Sequence, residues 1–263
     1  MDMQIAGSTA FVSGSTQGIG YAIAAALATE GAAVILNGRD ATRVQTATDR
    51  LRAEVPGCAV SGRAADLADP AQAHALTEQL GDVDILVNNV GEFALQDFAD
   101  ITDETWLRSF EVNVMSAVRL TRAALPGMLA RGRGRVIFVG TESAVDVPVD
   151  MLHYGATKAG ALAVANGLSK LTRGTAVTVN TILGGPTYSD GVAGTVRGLA
   201  QAQGMDEHDL KGAIMAQRRS SLLERFIEPG EIAALAVFLA SPLSSAINGA
   251  AVRADGGVLT TTT

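Results

Sequence analysis

Cysteine is almost absent: Cys58 is the only one in 263 residues. That excludes an internal disulfide and a cysteine-rich zinc site. Histidine is nearly as scarce. His74, His153 and His208 are scattered without H-E-x-x-H spacing, so no metal site is expected. Long apolar runs are missing too. The longest clean one, 232–240, is far short of the ~20 residues that cross a bilayer. No basic stretch precedes an apolar core near Asp2, so no secretory signal is expected and cytoplasmic residence is the default. Positive charge is in deficit: Lys+Arg 20 against Asp+Glu 27 leave a net charge of -7 and a pI of about 5.0. Such a chain offers no electrostatic footprint to nucleic acid or to an anionic membrane, so neither is an expected partner. The one short basic stretch, 131–135, reads as a solvated turn after a long helix.

What is present is core material. Hydrophobic residues make up 48%, charged residues 18%, and the mean hydropathy is +0.24, which excludes a disordered chain. Apolar runs at 10–12, 33–36, 59–62, 83–87, 135–139, 176–182 and 250–253 read as strands. Between them, 19–30, 42–54, 70–80, 103–129, 152–172 and 229–240 carry helical spacing. Strand and helix alternate without hairpins. That predicts an α/β fold: one doubly wound, Rossmann-type parallel sheet of about seven strands with helices on both faces. No Pro- or Gly-rich linker divides the chain, so a single domain over 1–263 is expected. The stretch 187–228 is too long for a connection and should form helices of its own, a lid or substrate-side insertion.

The first strand runs into Gly14-Ser15-Thr16-Gln17-Gly18-Ile19-Gly20, which opens the first helix. Glycines there allow a sharp turn and a close approach to a pyrophosphate, and the helix N-terminus supplies free N–H groups. A ligand-free tight turn uses the same residues; the strand–glycine–helix context favours a dinucleotide site.

The G-x-x-x-G-x-G spacing resembles the short-chain dehydrogenase/reductase family. Further motifs extend the resemblance along nearly the whole chain. Asn88-Asn89-Val90-Gly91 is similar to that family's N-N-A-G, and Tyr154-Gly155-Ala156-Thr157-Lys158 to its Y-x-x-x-K. Asn113 stands at the family's active-site Asn. Asn180 and Gly184-Gly185 stand where it has N…P-G, and Asp255-Gly256-Gly257 at its usual ending. The branch it most resembles is that of the 3-oxoacyl-carrier-protein reductases. The resemblance implies an NAD(P)-dependent oxidoreductase that interconverts a ketone and a secondary alcohol by hydride transfer. A rival reading is a dinucleotide-binding sensor with weakened chemistry.

Residues four apart share a helix face, so Tyr154 and Lys158 can point into one pocket. A free phenol titrates near ~10, and an adjacent ammonium is expected to lower that value. Tyr154 is then the general acid and base. The resemblance also has Lys158 anchor the nicotinamide ribose. Thr141, thirteen residues before Tyr154, replaces the family's Ser as holder of the substrate oxygen; Ser143 is the substitute. Asn113 lies on an apolar helix stripe and reads either as a satisfied core amide or, by resemblance, as part of a proton relay. By resemblance again, Asp66 caps the adenine with Leu67 beside it (the alternative is a turn cap), Val90 and Gly91 pack near the cofactor, and Asn88 fixes a strand end. Gly185 and Thr187 complete the cofactor-binding set. His153 should point elsewhere on its helix.

Gly38-Arg39 ends the second strand where an acidic residue would accept from a ribose 2′-hydroxyl. A guanidinium suits a 2′-phosphate. NADP(H) is therefore expected, with NAD(H) as the alternative. Val192, Val196, Leu199, Met205, Leu210, Ile214 and Met215 in the insertion suggest an apolar inner face for a moderately hydrophobic small-molecule carbonyl or alcohol substrate, or a lid closed on its own core. Ala-rich helices at 103–129 and 152–172 permit close packing, and family members assemble through them, so a homotetramer is expected, with a dimer as the alternative.

Overall fold

The computed structural model describes residues 1–217 and 221–261. Among them the strands are β1 (Thr9–Val12), β2 (Ala33–Gly38), β3 (Val60–Ala64), β4 (Ile85–Asn88), β5 (Arg133–Thr141), β6 (Ala176–Gly184) and β7 (Ala251–Ala254). The helices are α1 (Gly18–Thr29), α2 (Ala41–Glu54), α3 (Pro70–Glu78), α4 (Asp103–Phe110), α5 (Ser116–Arg131), α6 (Leu152–Ser169), α7 (Asp190–Gln203), α8 (Glu207–Gln217) and α9 (Pro229–Ala240). All strand pairs are parallel, in the order β3-β2-β1-β4-β5-β6-β7. The expected doubly wound sheet is the fold of this chain.

Side chains alternate across the strands, and both faces are covered. Val12, Val34, Ile137 and Ile182 pack with Ile23 and Leu27 of α1 and with Ile232 and Leu239 of α9. Phe11, Leu86, Val136 and Phe138 pack on the opposite face with Ala73 of α3, Leu120 of α5 and Ala161 of α6. Two buried faces are why the strands read as unbroken apolar runs. The winding reverses between β1 and β4, and the carboxyl ends of those strands open the crevice where such sheets bind ligands.

Helix starts follow local chemistry. Asp69 accepts from the N–H groups of Ala71 and Gln72 ahead of Pro70, and Asp40 accepts from Arg43 N–H at 2.8 Å. Each satisfies donors that the first turn leaves unpaired.

Two expectations need correction. The helix over 103–129 is α4 and α5 joined by a π-helical turn, Glu111–Met115. The basic stretch 131–135 is not a solvated turn. β5 begins at Arg133, and Arg135 is buried, donating to the carbonyls of Gly134 (2.9 Å), Ala176 (2.6 Å) and Ser241 (3.3 Å). Its long side chain replaces water with main-chain acceptors, as a buried charge requires. Of the two readings of the 187–228 stretch, whose residues 218–220 lie outside the described ones, the packing agrees with apolar residues closed on their own core. Val196, Ala200 and Leu210 pack together with Tyr188, Val192 and Ile214, while Leu199 and Met205 are exposed. Among the described residues, no helix is long and apolar enough to cross a membrane.

Candidate active site

The chain leaves β1 through Ser13 and turns over 14–20 into α1. Gly14 and Gly18 have φ of +59° and +60°, left-handed backbone that disfavours a Cβ. At Gly20 a Cβ would lie 2.4 Å from both the Gly14 carbonyl oxygen and the Asn89 amide nitrogen. The turn closes only with glycine there. Ser15 braces it from below: fully buried, its hydroxyl donates to the Val12 carbonyl (2.7 Å) and accepts from Asn37 N–H (2.9 Å). The Asn37 carboxamide accepts from Gly14 N–H (3.3 Å) and donates to the Arg63 and Ala65 carbonyls (3.1 and 3.3 Å). The turn is thereby fixed to β2 and to the end of β3.

Above it lies a cleft of about 360 Å³, and Gly14, Thr16, Gln17, Arg39, Asp66, Leu67, Val90 and Gly91 line it. Ser15, Ile19, Gly20 and Asn88 do not. Asn88 is buried and donates to Thr121 Oγ1 (3.0 Å), tying the end of β4 to α5. Asp66 caps its own turn, accepting from Ala68 N–H at 3.0 Å, and also lines the cleft. Gly185 and Thr187 stand apart from this cleft, after β6. A Cβ at Gly185 would lie 2.5 Å from the Asp255 carbonyl oxygen, and Thr187 Oγ1 donates to the Gly185 carbonyl (2.9 Å). Gly18 N–H donates to Asp190 Oδ2 of α7 at 2.6 Å. This bond joins the insertion to the glycine turn.

Three cleft residues escaped sequence reasoning. Arg43 lies one turn into α2, faces the cleft beside Arg39, and donates to Gln17 Oε1. A second cation at that helix start was the missed signal. Glu92 and Arg108, 3.3 Å apart, close the other end. The cleft fits a phosphorylated dinucleotide. Its glycine turn offers a backbone cradle that side chains would fill, and its β2 end carries two guanidinium groups.

At the other end of the crevice, α6 starts beside the turn after β5. Gly155 permits the approach, since a Cβ there would lie 2.6 Å from Val147 Cγ1. Lys158 is buried, and its Nζ donates to the Val139 carbonyl (3.1 Å) and sits 5.9 Å from the Tyr154 ring centroid. A Cβ on Gly91 would lie 2.9 Å from that same Nζ. Lys158 therefore adjoins the cleft as well as the phenol. Thr141 ends β5 in register with Gly184 of β6. Its hydroxyl donates to Glu142 Oε2 and accepts from Ser143 N–H (3.2 Å). Of Thr141 and Ser143, only Thr141 is among the groups that shift the Tyr154 phenol.

The expected direction of the tyrosine shift is reversed. Burial, followed by the Glu142 carboxylate, pushes the Tyr154 phenol up to about 12, against the Thr141 hydrogen bond, which pulls it down. Burial holds the Lys158 amine down at about 8. Each group pays desolvation on its charged form. Glu142, itself buried, went unnoticed in the sequence; a carboxylate one residue past the strand-end hydroxyl was the available signal.

Asn113 sits in the π-helical turn with its amide fully engaged. Oδ1 accepts from Glu92 N–H (2.8 Å), and Nδ2 donates to the Glu92 carbonyl (3.1 Å) and to Thr157 Oγ1 (3.0 Å). His153 points away from the crevice, edge-on to Trp106 at 6.2 Å.

A family model described as enoyl-(acyl carrier protein) reductase matches residues 14–259. The uncharacterized oxidoreductase YvaG of Bacillus subtilis is 44% identical over 260 residues, 98% of each chain. The 3-oxoacyl-[acyl-carrier-protein] reductase FabG of Vibrio cholerae is 31% identical over 97% of this chain and 99% of its own. The crystal structure of L-sorbose reductase from Gluconobacter frateurii, complexed with NADPH and L-sorbose, superposes with a TM-score of 0.94 at 34% identity, covering 99% of this chain and 100% of that one. Motifs, strand order and relatives agree over essentially the full length, and this chain belongs to the short-chain dehydrogenase/reductase family.

Proposed function

We propose that this protein is an NADP(H)-dependent oxidoreductase interconverting a ketone and a secondary alcohol, with Tyr154 as general acid and base. The observation that carries the reading is Lys158: one buried amine adjoins both the glycine-turn cleft, through Gly91, and the Tyr154 ring. The cofactor supplies the hydride and, when oxidised, a positive nicotinamide ring. The turn 14–20 would take the pyrophosphate, Arg39 and Arg43 the 2′-phosphate, and Asp66 and Leu67 the adenine. Lys158 would hold the nicotinamide ribose, with Gly185 and Thr187 completing the nicotinamide end. The NADPH in the Gluconobacter structure supports this cofactor; NAD(H) is the alternative.

On reduction, the Tyr154 hydroxyl gives its proton to the carbonyl oxygen; on oxidation, the phenolate takes it from the alcohol. Lys158, at about 8, is mostly charged at neutral pH and stabilises the phenolate left behind. Thr141 holds the oxygen in line. Asn113, through Glu92 and Thr157, positions α6 against the cleft wall.

The test is NADPH oxidation across a panel of ketones. Tyr154→Phe should lose about 10²–10⁴-fold in turnover while cofactor binding is kept. Tight NADPH binding with no turnover of any carbonyl by the unmodified protein would favour the sensor reading.

Further parts of the proposal concern organisation. We read 1–263 as one catalytic domain, cytoplasmic, with α7 and α8 as a substrate-side lid. Exposed Leu107 and Phe110 on α4 and Leu171 after α6 support a homotetramer or, failing that, a dimer. A monomeric mass by light scattering at micromolar concentration would refute both.

A further inference from the structure

Phe93 is an aromatic ring that the chemistry above does not use. It lies edge-on to Tyr154, with ring centroids 6.0 Å apart, and yet stays 43% exposed. Leu95 and Phe98 on the same loop, and Val145 and Val149 on the loop after β5, are exposed too. A group of bare apolar side chains on two joined loops marks a binding surface. The Phe93 ring is also held in place. The Glu92 backbone before it is bound on both sides by Asn113 (2.8 and 3.1 Å). Gln96 N–H after it donates to the Asp150 carbonyl (2.9 Å), which ties the two loops together. Their charge is one-sided. Residues 93–102 and 143–151 contain Asp97, Asp100, Asp146 and Asp150 and neither Lys nor Arg. The insertion, by contrast, closes apolar residues on their own core.

We propose that Phe93 is a specificity-determining residue and that the substrate is a neutral ketone whose apolar substituent, aryl or alkyl, lies against the Phe93 ring. This deepens, and rests on, the reading of Tyr154 as the group that protonates the carbonyl oxygen. The two rings are in edge-on contact, so a carbonyl that takes the phenol's proton has its substituent within reach of Phe93. Contact there removes apolar surface of both partners from water. The loop is fixed before the substrate arrives, so little ordering entropy opposes binding. A polyhydroxylated ketone gains nothing at this wall, because its hydroxyls would leave water for a ring that cannot replace their hydrogen bonds. An anionic ketone fares worse, since the two loops offer aspartates and no cation.

Acetophenone, dihydroxyacetone and acetoacetate, each reduced with NADPH, separate the apolar, polyhydroxylated and anionic cases. The unmodified protein should favour acetophenone in kcat/KM by about tenfold or more. Phe93→Ala should lower kcat/KM for acetophenone relative to dihydroxyacetone by about tenfold, with the loss in KM rather than kcat. Phe93→Leu keeps apolar surface there and should lose no more than about threefold. A preference of the unmodified protein for dihydroxyacetone or acetoacetate would overturn the assignment. So would an equal loss on all three ketones or a loss in kcat alone, either of which would make Phe93 a brace for Tyr154, and so would a leucine variant as poor as alanine. If no ketone turns over, the enzymatic reading fails separately. Calorimetric titration of the alcohol corresponding to acetophenone into NADPH-saturated protein then decides alone, because an alcohol and the reduced cofactor cannot react. Binding about tenfold weaker in Phe93→Ala upholds the contact with Phe93; equal binding, or none in the unmodified protein, refutes it.

Discussion

Lys158→Met removes a buried charge and keeps an unbranched side chain of similar length. Burial holds the Lys158 amine at about 8 against an ordinary 10.5. Above 10.5 the amine is neutral in both folded and unfolded chains, and burying it carries no charge penalty. As pH falls from 10.5 to about 8 the unfolded chain binds the proton first, and folding loses stability. Below about 8 the whole penalty is present. At 1.36 kcal/mol per pH unit it amounts to about 3 kcal/mol. Methionine also forfeits the 3.1 Å bond to the Val139 carbonyl, worth roughly 1 kcal/mol. The variant should therefore be more stable than the parent at pH 7 by about 2 kcal/mol, a Tm gain of roughly 4–8 °C for a chain of this size. The gain should shrink towards zero, or reverse, as pH approaches about 10. Ketone turnover should collapse in the same variant. Thermal unfolding followed by circular dichroism at neutral and alkaline pH is the assay. A variant less stable than the parent at pH 7, or one whose advantage is the same at both pH values, would refute the reasoning.

Other perturbations have equally definite outcomes. Arg39→Ala and Arg43→Ala should each lower the ratio of kcat/KM for NADPH over NADH by about tenfold; an unchanged ratio in both would place the 2′-phosphate elsewhere. Asp190→Asn removes an exposed carboxylate that already occupies the Gly18 N–H at the start of α1. Calorimetric titration should show NADPH binding several-fold tighter, because the pyrophosphate no longer shares that positive helix end with an anion; weaker binding would contradict this. Gly20→Ala forces a Cβ to within 2.4 Å of two fixed backbone-bonded atoms, and a fall of about 1–3 kcal/mol in urea stability is expected.

The alternation of strands and helices was readable because both faces of the sheet are buried, so that β1, β4 and β5 print as apolar words. Their ends were not. Asn88 and Thr141 still pair in the ladder, yet their side chains are polar, and an apolar count stops one or two residues early. The π-helical turn at Asn113 was invisible because helical spacing continues on either side of it. Glycine and Tyr/Lys motifs located the crevice, since backbone closeness and helix period are local properties. The electrostatics were not local. The direction of the Tyr154 shift depends on burial and on Glu142, and the phosphate end depends on Arg43 being brought beside Arg39 by the turn from β2 into α2. Neither can be read from spacing alone.

Asn113 uses both of its amide hydrogens and its oxygen to join the Glu92 backbone to Thr157. The segment that walls the nucleotide and the helix that presents the phenol are thus bolted together by one side chain. Whatever loosens that bolt would weaken nucleotide affinity and slow turnover in the same stroke, leaving no route by which one could drift while the other is spared.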